Sequence, residues 1–451
     1  MAAPLRWRVF VSALTLMALV PQACDTPRID SPASPVPTFG KSSGGPAVNA
    51  ANPASGHQGD VTLDVTITGS GFDSGSRASW QRNGVPDPKI TVNSTRYNST
   101  TSLTANITIA ADAVVATYDI AVTTSTGKKG IGAEMFTVTY AVPISGLTEG
   151  RAISDGGAVA GANGTTVVSW SPSSGLAAVA TNSDVWDIDR AGHTIAGRDA
   201  AGKPVIWTSA TGLPGSWAAT TLADLGSANG GAVRGIASDA SGNAVMLTGN
   251  AFSLDGRKNA LVWTRTPNGW SQRVFARPAG LTGAWGQDIN RRGQVVGMDG
   301  SGCCSAVYWD SLGAPTKLPL TSGASAAAAW SINGDGTVVV GNSGGAVMWR
   351  RTLVGNVYGP WTVIALENPT ALCGKTGTSV AYDVNSAGTI AVGTSCGLAV
   401  AWSLTGGSVT RVVLQGLGPP NQATAYGIND AASPRAAGLA NNSQGVYWWG
   451  F

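Results

Sequence analysis

Histidine is nearly missing from this chain, which has only His57 and His193 in 451 residues. A multi-histidine metal site or a serine triad therefore has almost no raw material. Charge is scarce as well: Asp, Glu, Lys and Arg make up 12%, where about a quarter is usual. The 28 basic residues nearly cancel the 25 acidic ones, and a net of +3 is too little to neutralise a phosphate backbone. Nucleic acid is not expected as a partner. Beyond residue 24 no apolar run approaches the ~20 residues of a membrane-spanning helix. Glycine, by contrast, is abundant, with 61 residues beside 23 prolines, and hydrophobic residues reach 43%. That balance excludes a disordered chain, a coiled coil and a collagen, and the length leaves room for two or three folded units.

Arg6 and Arg8 precede an apolar run from Val9 to Val20, too short to span a bilayer, which predicts a signal peptide over 1–23. Cys24 follows and opens a Pro/Ser/Gly-rich tether over 24–45. This arrangement resembles a bacterial lipoprotein, which implies lipidation at Cys24 as the only membrane attachment; simple secretion is the alternative. In either case the mature protein is expected to be exported. Cys303, Cys304, Cys373 and Cys396 remain, an even number that permits disulfides without fixing their connectivity.

From Pro46 to Tyr140, apolar and polar residues alternate in short runs, as in Val61, Leu63, Val65 and Ile67 or Leu103, Ala105, Ile107 and Ile109. Period-two alternation broken by Gly, Asn and Asp predicts a β-sandwich. Ile67-Thr68-Gly69-Ser70-Gly71-Phe72, Tyr118-Asp119-Ile120-Ala121-Val122-Thr123 and the closing Phe136-Thr137-Val138 resemble the immunoglobulin-like TIG/IPT domain. The resemblance implies a spacer or adhesive module without catalysis.

Beyond residue 141 a long repeat takes over. An apolar residue, an Asn or Asp turn with Gly, two apolar residues and Gly recur, as in Ile289-Asn290-Arg291-Arg292-Gly293-Gln294-Val295-Val296-Gly297. The anchors are Ile153, Ile188, Ile236, Ile289, Ile332, Val384 and Ile428, spaced 35 to 53 residues apart. Each copy continues into an apolar strand ending in tryptophan: Trp170, Trp207, Trp263, Trp309, Trp349, Trp402 and Trp448. The pattern predicts a four-stranded unit that cannot bury its faces alone, so seven units arranged radially give a seven-bladed β-propeller over 141–451. A β-solenoid would need shorter, more uniform repeats. The last copy stops just after its tryptophan, so the segment 140–147 is expected to supply its fourth strand and close the domain. The fold class is therefore all-β, an Ig-like sandwich followed by a propeller. These copies, with Leu222-Ala223-Asp224-Leu225-Gly226 and Leu414-Gln415-Gly416-Leu417-Gly418, resemble the HAF family of extracellular repeats. That resemblance implies an exported propeller and carries no catalytic residues.

Three groups map to one propeller face. The position two before each anchor holds Arg151, Trp186, Arg234, Gln287, Trp330, Tyr382 and Tyr426, with Trp285 close by. Aromatic and Arg side chains dominate binding hot spots, so this ring is the candidate ligand site; the plainer account has it wedged between blades as core. The four late cysteines form the second group, read as a Cys373–Cys396 bridge and a vicinal Cys303–Cys304 disulfide, since a metal pair would lack further ligands. The third group is Asp187, Asp288 and Asp383, each one residue before an anchor. They are expected to hydrogen-bond neighbouring turns, although such carboxylates also suit calcium or glycoside chemistry. His57 and His193 read as solvated loop residues. No cofactor, metal or catalytic residue is expected. The expected function is a monomeric, non-enzymatic binding or scaffold protein for a glycan or protein. The alternatives are a polysaccharide hydrolase or lyase using channel-mouth carboxylates, and a purely structural spacer.

Overall fold

A computed structural model describes residues 44–451, except 59, 61, 111–112, 140, 213–215, 282, 300–304, 368–372, 374–378, 406–408, 415–421, 442 and 450–451. The expected signal peptide, Cys24, Cys303 and Cys304 lie outside the described residues. The protein is all-β, and residues from Gly45 on form one compact unit. Among the described residues no helix is long and apolar enough to cross a membrane.

The N-terminal part is built from two sheets. One orders Ala47–Asn52, Leu63–Ser70, Ser102–Ile109 and Ile90–Ser99; the other orders Ser55–His57, Lys129–Thr139, Thr117–Thr123, Arg77–Arg82 and Val85–Pro86. Alternation places Val65, Ile67, Leu103 and Ile107 of the first sheet against Trp80, Tyr118, Ile120 and Phe136 of the second in a single core. Trp80 and Phe136 meet edge to face with centroids 5.5 Å apart. His57 lies in a strand paired with Thr139, with its ring 3.2 Å from Asp60, and is not the loop residue expected.

After these come seven four-stranded antiparallel sheets, I to VII in chain order. Their first strands are Glu149–Ile153, Asp184–Ile188, Gly231–Ser238, Trp285–Ile289, Ala328–Ile332, Ser379–Val384 and Ala423–Ile428. In sheets I to VI the next three strands follow in sequence. A hairpin, Leu353–Val354 with Val357–Tyr358, interrupts sheet V. Sheet VII takes its fourth strand from Ala141–Pro143, which pairs Ala141 with Trp448 and Pro143 with Val446. Gln444 Nε2 adds a 2.8 Å bond to the Ile144 carbonyl.

Contacts between sheets run in a cycle. The first strand of each sheet packs against the first and second strands of the sheet before it, and sheet I packs in the same way on sheet VII. Seven apolar clusters occupy the seven seams. The repeat tryptophan is the centre of most of them. Trp263, Trp309 and Trp349 are fully buried, and each indole donates to a carbonyl just beyond the fourth strand of the preceding sheet: Ala223 at 2.8 Å, Ala276 at 2.7 Å and Pro319 at 2.7 Å. One residue thus fills a seam and satisfies its own N–H across it.

The Asx turns add a polar belt. Asn290 accepts the N–H groups of Arg292 and Gln294 at 3.1 Å, fixing its own turn, and donates from Nδ2 to the Asn333 carbonyl of the next sheet. Asn429 of sheet VII reaches the Ser154 carbonyl of sheet I at 3.0 Å, so the belt also crosses the seam between the last and first sheets.

Candidate functional site

In every sheet the first strand carries one more residue than its partner. In sheet II Val185 pairs with Gly197 and Asp187 with Ala196, leaving Trp186 unopposed. The same skip leaves out Arg151, Arg234, Gln287, Trp330, Tyr382 and Tyr426. A β-bulge bends its strand and re-aims the extra side chain. In all seven sheets the residue paired just before the skip is a glycine of the second strand. At Gly341 a Cβ would overlap the Ala328 carbonyl oxygen and come within 2.9 Å of the Trp349 ring.

The seven bulged side chains line one cavity of about 350 Å³. Six of them are half-buried there, and Gln287 is buried. The cavity is two-sided. Arg151 and Arg234 flank Trp186 on sheets I to III, and Arg234 lies over the Trp186 ring at 4.6 Å. Trp330, Tyr382 and Tyr426 form an aromatic arc on sheets V to VII, with centroids 5.5 and 5.1 Å apart, and Arg151 closes the circle 4.8 Å above Tyr426. Gln287 of sheet IV stands between the halves. Trp285 sits behind this wall, its ring 3.6 Å from Lys258 Nζ and 5.2 Å from Arg234.

Burial shapes the electrostatics. Desolvation, helped by Arg198 and Arg151, pushes Arg234 down to about 10, so it stays charged at neutral pH. Burial, with the neighbouring Glu149, pushes the Tyr426 phenol up to about 12 and keeps it a neutral donor.

Asp187, Asp288 and Asp383 also line this cavity. These carboxylates do not bond neighbouring turns, as the sequence suggested. Each accepts the N–H of the anchor residue in the next sheet: Asp187 from Ile236 at 2.7 Å, Asp288 from Ile332 at 2.9 Å and Asp383 from Ile428 at 2.8 Å. Acidic residues occupy sheets II, IV and VI; the same position in the intervening sheets holds Gly235, Ser331 and Gly427, and sheet I holds Ala152. Gly235 leaves room for Asp288, because a Cβ there would meet its Cα at 2.8 Å.

Ser331 Oγ lies 2.8 Å from Asp288 Oδ2 and 2.7 Å from Asp383 Oδ1. A hydroxyl has one proton to donate, so holding both contacts requires a proton on one carboxyl. Burial first, and the Asp288 charge second, push Asp383 up to about 7, and burial pushes Asp288 up to about 6. Asp187 is raised as well, by burial and by the other two carboxylates. Below the carboxylates a smaller cavity of about 120 Å³ is lined by the Asx turns, where Asp430 and Asp155 share Arg190.

No protein-family model matches the chain, and no curated protein matches it.

Of the cysteines, Cys373 and Cys396 are bonded, with Cα atoms 6.1 Å apart. His193 follows the sheet II turn, where its backbone N–H donates to Asp189 at 2.7 Å. Among the described residues no group of three His, Cys, Asp or Glu side chains is placed to hold a metal ion. Lys258 escaped the sequence reading because it lies outside the anchor pattern, at the start of a third strand. The Phe252 and Trp285 rings, 5.0 and 3.6 Å from its Nζ, mark its place.

Proposed function

We propose that this chain is an exported, non-enzymatic binding protein: a TIG/IPT-type Ig-like domain over 46–140, then a seven-bladed β-propeller of HAF-type repeats whose channel mouth binds a glycan. The two sheets sharing one core support the first assignment, and the cyclic succession of seven sheets supports the second. The Cys373–Cys396 disulfide fits an oxidising compartment. The observation that carries the functional reading is the bulge repeated in all seven sheets. It turns an aromatic or hydrogen-bonding side chain from each into one cavity, where close packing would have served stability better.

The competing reading, a hydrolase or lyase acting through Asp288 and Asp383, has less support. Each oxygen of both carboxylates accepts a backbone N–H group and Ser331 bridges the pair, so these side chains are already engaged in holding strands together. The test is a glycan and polysaccharide array probed with the full chain, with Trp330→Ala as control. Selective binding that the variant loses is expected. Uniform absence of binding sinks the glycan reading, and release of shortened products would transfer the case to the enzyme.

A further inference from the structure

The polar groups around the 350 Å³ cavity are unequally supplied with partners. Acceptors are spoken for. Asn342 Oδ1 takes Trp330 Nε1 at 3.1 Å, Gln287 Oε1 takes Arg234 Nη1 at 3.3 Å, and Asn250 Oδ1 takes Arg234 Nε at 3.2 Å. Donors are left over. Arg234 spends only Nε and Nη1 on protein, whereas Arg151 is already held by Glu149 at 2.9 Å.

Resting on the binding reading above, we infer that the cavity takes a carboxylate-bearing sugar residue of an acidic polysaccharide. Arg234 receives the carboxylate, and Trp330 and Tyr382 receive an apolar sugar face. A carboxylate is an acceptor without a donor and suits spare N–H groups around a guanidinium fork. Sugar hydroxyls both donate and accept, so a wall poor in free acceptors leaves none of them stranded. A peptide ending in a free carboxylate fits less well, because its main-chain N–H groups would find the acceptors occupied.

The experiment is a binding titration of the full chain, read by tryptophan fluorescence and calorimetry. It uses a panel of uronate-containing and neutral polysaccharides, each uronate polymer also in carboxyl-reduced form, and a peptide with a free C-terminal carboxylate. Binding should be confined to the uronate polymers and fall about tenfold or more on reduction or with Arg234→Gln, the worth of one charge-assisted bond. Should Arg234→Gln fail to fold, the comparison of intact with carboxyl-reduced polymers on the unaltered chain carries the same test. Affinity that survives reduction, or equals that for neutral polymers, overturns the carboxylate and leaves the glycan reading standing. Binding to the peptide alone, or to nothing on the panel, overturns both.

Discussion

Gly341 has no functional group to offer, yet the candidate site depends on residues of its kind. With Trp330 squeezed out of the ladder, the Ala328 carbonyl leans over the opposite strand where a Cβ would stand. Gly341→Ala should therefore destabilise the protein by about 1–3 kcal/mol, the usual cost of forcing an extra methyl group into a packed interior. Calorimetry would check it, and an unchanged melting temperature would mean that the bulge is not held as described. Asp383 allows a second test with a defined sign. Its folded pKa of about 7 stands above the ordinary value of 3.8, so its contribution is complete below about 4 and is lost as pH rises through 7. Melting temperature should fall between about pH 4 and pH 7, and Asp383→Asn, which keeps an acceptor for Ile428 and a donor for Ser331, should flatten that fall. An equally steep profile in the variant would assign the pH dependence elsewhere.

At the scale of the element, one repeat tryptophan joins two sheets by both packing and hydrogen bonding. Trp349→Phe keeps most of the seam filled but strands the Pro319 carbonyl, for an expected loss of about 1–3 kcal/mol; Trp349→Ala adds a cavity and should cost about 3–5 kcal/mol. Denaturant titration of the two variants separates the terms: a Trp349→Phe variant as stable as the parent would show that the indole N–H contributes nothing, and equal losses in both variants would show that the cavity adds nothing. The tryptophans and Ile-Asn anchors were legible in the sequence because they recur at the same point of every copy. The position of Arg151, Trp186 and their equivalents was legible for the same reason. The bulge beneath them was not, since a skipped residue leaves no mark in an alternation already interrupted by glycine. The partners of Asp187, Asp288 and Asp383 were hidden differently: each lies 44 to 49 residues away on another sheet. A faint signal existed in the alternation of Asp with Gly, Ser or Ala from copy to copy.

At the scale of the whole molecule, seam contacts that return from sheet VII to sheet I change how damage spreads. In an open array each repeat touches only its neighbours, so removing the last one should cost roughly its own share of stability and leave the rest folded. In a cycle the same removal exposes two apolar faces at once. Truncation after Ala440 deletes Gln444–Trp449, and with it the strand on which Ala141–Pro143 docks and the buried Trp448 of the cluster shared by sheets VI and VII. The truncated chain should lose its cooperative calorimetric transition over the seven-sheet region, rather than a proportionate fraction of the unfolding enthalpy. The separate core of the two N-terminal sheets provides the internal reference, because Trp80 packs only within it and should keep its own signal. A transition reduced by only about the share of one repeat would show that the seams act independently and that closure adds little.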